Sequence, residues 1–456
     1  MFIKWIFNIG VPLLIWLLLP VTGEGGITQE IKTFLVITCA AVMMFALENI
    51  NYFIPSLLLP FVYVLFNVTD AATAFRPWVQ DTVWMALCVF ILGNSLMRTG
   101  LLPRITYWCV IKLGGTYKGM VWGFTIAGMI ACLLVAGANS LVLPLGFIIF
   151  GIVEALGLKE KKAATGLFSA GIFGVCTTEY FIYSANNISV MFDSTSSITI
   201  EPNYVEFFLS NLIFVPLLLL MPVMIIKFMK PDEEFEGLEY FKQKRAELGP
   251  MTKDEKKIAC ILAVMLIYLF TVFFHGLSLS YGFILAVVLC YIPGINVGKM
   301  EDITTANYAR TVFLATCICI GTVAGSLGLG DIIVNMVGPY MRGVHPIVLI
   351  MLVFLMAFAV NFVLTPLAAM GAFAMPLAEI AVSLGVNPMV IFCAFFQGVD
   401  NVILPYERSV IAAIYSFGGM ALKDFAKINA IRSLFCLIYL LVLGVPFWML
   451  TGVFYS

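Results

Sequence analysis

Thr82-Val-Trp-Met-Ala-Leu-Cys-Val-Phe-Ile91 and Thr311-Val-Phe-Leu-Ala-Thr-Cys-Ile-Cys-Ile320 are two copies of one apolar segment, identical at five of ten positions. Both runs continue to a Gly-Leu pair, Gly100-Leu101 in the first and Gly328-Leu329 in the second. Further on, Asn139-Ser-Leu-Val-Leu-Pro144-Leu145 matches Asn361-Phe-Val-Leu-Thr-Pro366-Leu367. Glu179 stands nearly as far from the first copy as Glu407 does from the second. Ordered similarity of this kind points to a duplicated helical unit, the usual plan of a secondary transporter.

The surroundings of these copies are membrane-like. Of 456 residues, 62% are apolar and only 11% charged, and the apolar residues come in long blocks such as Ile261–Phe274, Tyr281–Cys290 and Arg432–Tyr455. A bilayer crossing needs roughly 20 mostly apolar residues. The fold class read from this is an all-α polytopic membrane protein with about eleven transmembrane helices (a length estimate), re-entrant hairpins and two inverted repeats. Met1–Gly26 reads as a first transmembrane helix, because its apolar core from Ile6 to Val21 is long for a signal peptide.

Several functions are disfavoured by composition. The net charge is −1 and no basic stripe with interleaved aromatics occurs, so no nucleic-acid partner is expected. The eleven cysteines sit in apolar runs without a CxxC pair and read as small buried hydrophobes. Only His275 and His345 are present, with no HExxH motif, so neither a zinc protease nor any other enzyme is expected.

The chain divides into N-terminal helices over 1–81, a first repeat over 82–229 and a charged linker over 230–257. Helices opening the second half follow over 258–310, and the second repeat covers 311–456. The linker is rich in both signs, with Asp232, Glu233, Glu234 and Glu236 followed by Lys242, Lys244, Arg245, Lys253, Lys256 and Lys257. Its cations place it on the cytoplasmic side, together with the basic connection Arg98–Lys118. Among the individual spans, Glu206–Met229 reads as one helix and Ile332–Met341 as another.

Polar residues inside lipid are expensive and mark function by default. In the two Asn-x4-Pro-Leu segments, proline removes a backbone donor and asparagine supplies a carbonyl and an amide, which suits a helix break facing a ligand. A second pair of constellations is Thr177-Thr178-Glu179-Tyr180 with Ser184, Asn186 and Asn187, and Asp400-Asn401 with Leu404-Pro405-Tyr406-Glu407-Arg408-Ser409. Arg408 is positioned either to clamp an anionic carboxylate or to neutralise Glu407. The candidate substrate-binding residues are Asn139, Ser140, Thr177, Thr178, Asn186, Asn187, Thr365, Arg408 and Ser409. The candidate cation-binding residues are Asn139, Glu179, Asn361, Asp400 and Glu407.

From about Pro55 to the end, the chain resembles the divalent anion:sodium symporters. The resemblance rests on Ile54-Pro55-Ser-Leu-Leu-Leu-Pro60, on Thr99-Gly100-Leu101 within Leu96–Ile105, and on Leu248-Gly249-Pro250-Met251-Thr252 opening the second half. Leu404-Pro405 and Tyr415-Ser-Phe-Gly-Gly-Met420 add to it. That family carries Ser-Asn-Thr at two hairpin tips. Here the first tip offers Ala138-Asn139-Ser140, and the second, Thr365-Pro366-Leu367, lacks the triplet. The family's Thr-Pro-Pro-Asn loops are replaced by Ser184-Ala185-Asn186-Asn187 and Glu407-Arg408-Ser409-Val410. The resemblance implies a cell-membrane (inner-membrane) homodimer that moves a small organic anion, such as a di- or tricarboxylate, by elevator-type alternating access. It also implies sodium as the coupling ion and no other cofactor. The carboxylates in both loops leave proton coupling or exchange open, and a channel is the rival class.

Overall fold

The computed structural model describes residues 2–22, 26–47, 50–158, 161–184, 187–231, 237–329, 332, 344–362 and 364–455. Among them the chain is helical, apart from one isolated bridge pairing Val386 with Tyr455. The first helices are α1 (Phe2–Leu18), α2 (Gln29–Leu47), α3 (Phe53–Leu65), α4 (Ala71–Ala74), α5 (Asp81–Thr99) and α6 (Leu101–Lys112). Next come α7 (Tyr117–Val135), α8 (Ala138–Ala155), α9 (Lys161–Thr178), α10 (Ile188–Ser194), α11 (Tyr204–Ser210) and α12 (Phe214–Phe228). The linker holds α13 (Leu238–Glu247), followed by α14 (Lys253–His275), α15 (Ser280–Tyr291), α16 (Met300–Thr304) and α17 (Tyr308–Ser326). The last group is α18 (Pro346–Asn361), α19 (Pro366–Ser383), α20 (Pro388–Asp400), α21 (Ser409–Tyr415), α22 (Leu422–Tyr439) and α23 (Val445–Leu450).

Six of the described helices are long and apolar enough to cross a membrane, counting Leu422–Leu450 as one, or seven with the bent pair α11 and α12. Large apolar side chains such as Leu17, Leu65, Val223, Ile267, Val442 and Leu450 face outward. Water would penalise so much exposed hydrocarbon, whereas lipid accepts it.

Several expectations are corrected. Glu206–Met229 is not one helix: α11 and α12 meet at 61° across Asn211–Ile213. The basic connection after Arg98 contains a full helix, α6, held against α7. Pro144 does not break its helix but lies within α8, so the first break falls at Ala136-Gly137, ahead of Asn139. A proline past the first turn deletes one hydrogen bond and is tolerated where neighbouring helices brace it. Pro366, by contrast, opens α19 from its first turn, where its missing N–H is not needed. Of the helix read over Ile332–Met341, all but Ile332 lies outside the described residues.

The linker and the basic connection meet on one face. The Gly237 N–H donates to Gly115 O at 2.9 Å, and Arg104 donates to Leu248 O, Gly249 O and both oxygens of Glu255. Glu255 in turn closes a capping box with Thr252 at the start of α14.

The same local plan occurs twice. α7 and α8 form a hairpin, and α7 packs along α9, a helix that breaks before α10. α18 and α19 form a second hairpin, and α18 packs along α20, which breaks before α21. Close approach is set by glycine in both. A Cβ on Gly174 of α9 would lie 2.3 Å from Thr125 O of α7, and one on Gly398 of α20 would lie 2.6 Å from Phe354 O of α18. Small residues let helix backbones touch inside a membrane, where no hydrophobic force drives them together.

Candidate functional site

The first hairpin turns at Ala136 and Gly137. Ala136 adopts φ +52°, the left-handed region that favours glycine, and its N–H caps α7 on Cys132 O at 2.7 Å. An L-residue there costs about 1–2 kcal/mol, and the turn is held by partners beyond it. The Ala138 N–H donates to Glu179 Oε1 at 2.8 Å. Glu179, fully buried just past the end of α9, also accepts from Ser184 Oγ at 2.8 Å and Asn187 Nδ2 at 2.6 Å. One carboxylate therefore fastens the hairpin tip to the loop between α9 and α10.

Glu407 repeats this role in the second half. It accepts from Asn361 Nδ2, at the end of α18, at 2.8 Å, and from the Ile403 and Leu404 N–H groups in its own loop. Each glutamate ties a helix break to the hairpin of its own half.

Between the tips lies a cavity of about 50 Å³ lined by Asn139, Asn187, Thr365, Arg408 and Ser409, together with Phe45, Tyr52, Arg310, Phe313, Pro366 and Leu367. At its centre Asn139 Oδ1 accepts from two guanidiniums, Arg310 Nη2 at 3.1 Å and Arg408 Nη2 at 3.2 Å. Arg408 Nη1 donates to Asp400 Oδ1 at 2.6 Å and contacts Cys176 Sγ at 3.3 Å. Asp400 Oδ2 accepts from Arg432 Nη2 at 2.6 Å and from the Tyr180 hydroxyl at 3.0 Å. Arg432 is also stacked on the Phe173 ring, 4.9 Å from its centroid. This buried network joins the first half (Tyr180, Asn139) to the second (Asp400, Arg408, Arg432). Three guanidiniums share it with the carboxylates of Asp400 and Glu179.

Of the residues singled out in the sequence, Asn139, Asn187, Thr365, Arg408 and Ser409 meet at the cavity. Ser140 turns back to Gly137 O and abuts Gly93 of α5. Thr178 bonds Gly174 O within α9, and Thr177 is buried beside it with no partner for its hydroxyl among the described residues. Asn186 lies outside the described residues. Among the candidate cation ligands, Asn139 Oδ1 and both oxygens of Asp400 are engaged by arginine, while Glu179 and Glu407 are engaged by the donors named above. Asn361 Oδ1 is buried and has no partner among the described residues.

The sequence reading missed Arg310 and Arg432. Arg310 directly precedes the Thr311 that opens the second repeat copy, so it read as a boundary residue. Arg432 sits in a long apolar run, where a lone arginine was the available signal.

Nearly the whole chain, residues 1–454, matches the profile of the sodium:sulfate symporter transmembrane region. L-tartrate/succinate antiporters are 21% identical in Shigella sonnei over 415 residues and 22% in Escherichia coli K12 over 414. Each alignment covers 84% of this chain and 82% of the relative. The inner membrane protein YbhI of Escherichia coli K12 is 24% identical over 256 residues, 53% of each chain. Among solved structures, the YdaH transporter of Alcanivorax borkumensis superposes with TM-score 0.58 at 13% identity, over 98% of this chain and 99% of that one. Neisseria gonorrhoeae MtrF, described within a class of antimetabolite efflux pumps, gives 0.53 at 14%, over 96% and 97%. Those two likenesses concern the fold. With its apolar helices, and with a family match along nearly its full length, this chain is a multi-pass membrane transporter and belongs to the sodium:sulfate symporter family, the divalent anion:sodium symporters.

Proposed function

We propose that the protein exchanges small organic anions, of the dicarboxylate type, across the cell membrane through the cavity between the two hairpin tips. The observation that carries this reading is the meeting of Arg310 and Arg408 on one neutral oxygen, Asn139 Oδ1. Guanidiniums held on a neutral acceptor gain strongly when an anion takes its place, because a charge-assisted bond is roughly twice as strong as a neutral one. An arriving carboxylate displaces the Asn139 carbonyl and spans both arginines. Its other end meets the Thr365 hydroxyl, which has no partner among the described residues, at the start of α19. The first turn of that helix leaves N–H groups free for an anion.

The two hairpin-and-break units act as inverted repeats, within 82–229 and 311–456. They carry the site past the helices that wall it, α2 and α17, in an elevator-type cycle, and two copies of the chain associate as a homodimer. Exchange is favoured over sodium symport because the candidate carboxylates are occupied by donors of the protein itself. The named activity of the antiporter relatives agrees with this. Sodium symport is the second reading. It is supported by the family description and by the unpartnered Asn361 Oδ1 and Thr365 Oγ1 near the second tip.

Counterflow in proteoliposomes tests both. Vesicles are loaded with succinate, tartrate, citrate or sulfate, with and without sodium and a pH gradient. Uptake of labelled succinate that needs an internal dicarboxylate and ignores sodium supports exchange. Uptake into empty vesicles driven by a sodium gradient supports symport. Passive, non-saturating flux points to a channel and overturns both.

A further inference from the structure

We propose that Arg310 is a specificity-determining residue of this site: with Arg408 it forms a two-guanidinium clamp that favours a dianion over a monoanion of the same shape. The inference rests on the transport reading above and adds a residue-level rule for which anions pass.

Three observations carry it. First, Arg310 is half-buried and makes no ion pair with any described carboxylate, so among the described residues its guanidinium hydrogen-bonds to Asn139 Oδ1 alone. Every other described arginine buried around the cavity is paired, since Arg408 and Arg432 share Asp400. Second, both clamp nitrogens contact the same oxygen, which places them within about 6 Å of each other, close enough for strong mutual repulsion away from bulk water. A neutral amide oxygen relieves little of that repulsion, and an anion between them relieves much more. Third, the two guanidiniums come from different parts of the fold. Arg408 stands at the break between α20 and α21, whereas Arg310 opens α17, which packs on α3, α5, α10 and α19. Phe313, one turn along α17, stacks edge-on with Phe45 and Tyr52, so the Arg310 wall is otherwise apolar. Low-dielectric walls lengthen the reach of the guanidinium charge.

A single carboxylate lying across Arg408 and Arg310 offsets only part of the positive charge there, because Arg408 shares the one Asp400 carboxylate with Arg432. The second carboxylate of a dianion, at the second hairpin tip, offsets more of it. Loss of Arg310 therefore weakens dianions selectively, while loss of a purely structural residue weakens all substrates alike.

The test compares succinate with monomethyl succinate, which has nearly the same shape and one charge fewer. Both are measured on the same vesicles holding wild type, Arg310→Gln or Arg310→Lys, so that insertion losses cancel in the ratio. Wild type is expected to prefer succinate. Arg310→Gln should lower that preference by roughly tenfold or more, and Arg310→Lys should restore part of it. Where a variant no longer cycles, the ratio of ligand-induced melting shifts for the two compounds gives the same comparison. A preference unchanged in Arg310→Gln overturns the clamp and leaves the transport reading intact. Equal losses for both compounds, with no rescue by lysine, also overturn it and assign Arg310 a structural role. Wild type that exchanges and binds no anion of the panel overturns the transport reading, and the clamp with it.

Discussion

Asp400 holds Arg408 across a helix break, with Arg408 Nη1 donating to Asp400 Oδ1 at 2.6 Å and both side chains under 5% exposed. The second oxygen of Asp400 serves Arg432. One carboxylate therefore sits between the arginine that faces the cavity and an arginine of α22. Removing it strands two buried guanidiniums, and breaking a buried pair costs about 3–5 kcal/mol. Asp400→Asn is expected to lower the melting temperature of the detergent-purified protein sharply. Adding Arg432→Met should recover part of the loss, because one stranded charge is then gone. Strictly additive losses in this double-mutant cycle would show that the three groups do not act as a unit.

Arg408 lines the cavity, and in the proposed site its planar fork grips a carboxylate through two parallel bonds that lysine cannot copy. Truncating one partner of a buried, hydrogen-bonded charge pair costs roughly 2–5 kcal/mol. Arg408→Ala is expected to abolish counterflow, and Arg408→Lys to leave a weak fraction with raised apparent KM. Both should still purify as folded species. Unchanged apparent affinity in Arg408→Ala would mean that the anion is held elsewhere.

Much of this architecture is legible in the sequence, for physical reasons. Lipid demands long apolar runs, and intramembrane polarity is costly enough to stand out, so Asn139, Asn187, Thr365, Arg408 and Ser409 could be picked without a structure. The register of the breaks is not legible. Asn139-x4-Pro144 and Asn361-x4-Pro366 look equivalent as strings, yet Asn139 follows its hairpin turn while Asn361 precedes its own. The turn at Ala136 is set by its tie to Glu179, a contact between residues about forty positions apart. Arg310 and Arg432 escaped because their meaning comes from what they meet across the fold.

Acid should loosen one contact at the end of a span. Asp302, in the short α16, accepts from Arg98 Nε and Nη2 at 2.7 Å each, from Ser95 Oγ and from the Lys299 N–H. Burial alone would raise its pKa, but the Arg98 guanidinium and these donors outweigh it and hold the carboxyl below its ordinary value. The stability this contributes is fully present above the unfolded value of about 3.9. It is lost as pH falls through the lower folded value. Melting curves between neutral pH and pH ~3 should show an acid-dependent loss in wild type that is reduced in Asp302→Asn. Equal acid sensitivity in both proteins would assign the loss to other carboxylates.

The inverted arrangement proposed for the two halves makes a prediction about sidedness. The base of the first hairpin lies with the linker, since Leu156 packs at Gly237 and α13 packs on α6. The base of the second hairpin lies with the C-terminal segment, where the Asn387 N–H donates to Phe454 O and Val386 pairs with Tyr455. In an inverted repeat these two bases face opposite compartments. Single cysteines at Ala155 and Lys242 should therefore react with an impermeant maleimide from one side of the membrane, and one at Ser383 from the other. All three positions are exposed, so access does not depend on opening of the site. The native Cys260 is exposed and Cys39 half-buried, so both are removed first and the remaining native cysteines are buried. The seven lysines and arginines of the linker are expected to put the Ala155 and Lys242 side in the cytoplasm, since the positive-inside bias counts cations and is little affected by carboxylates. Labelling of Ser383→Cys from the same side as Lys242→Cys would rule out the inverted repeat.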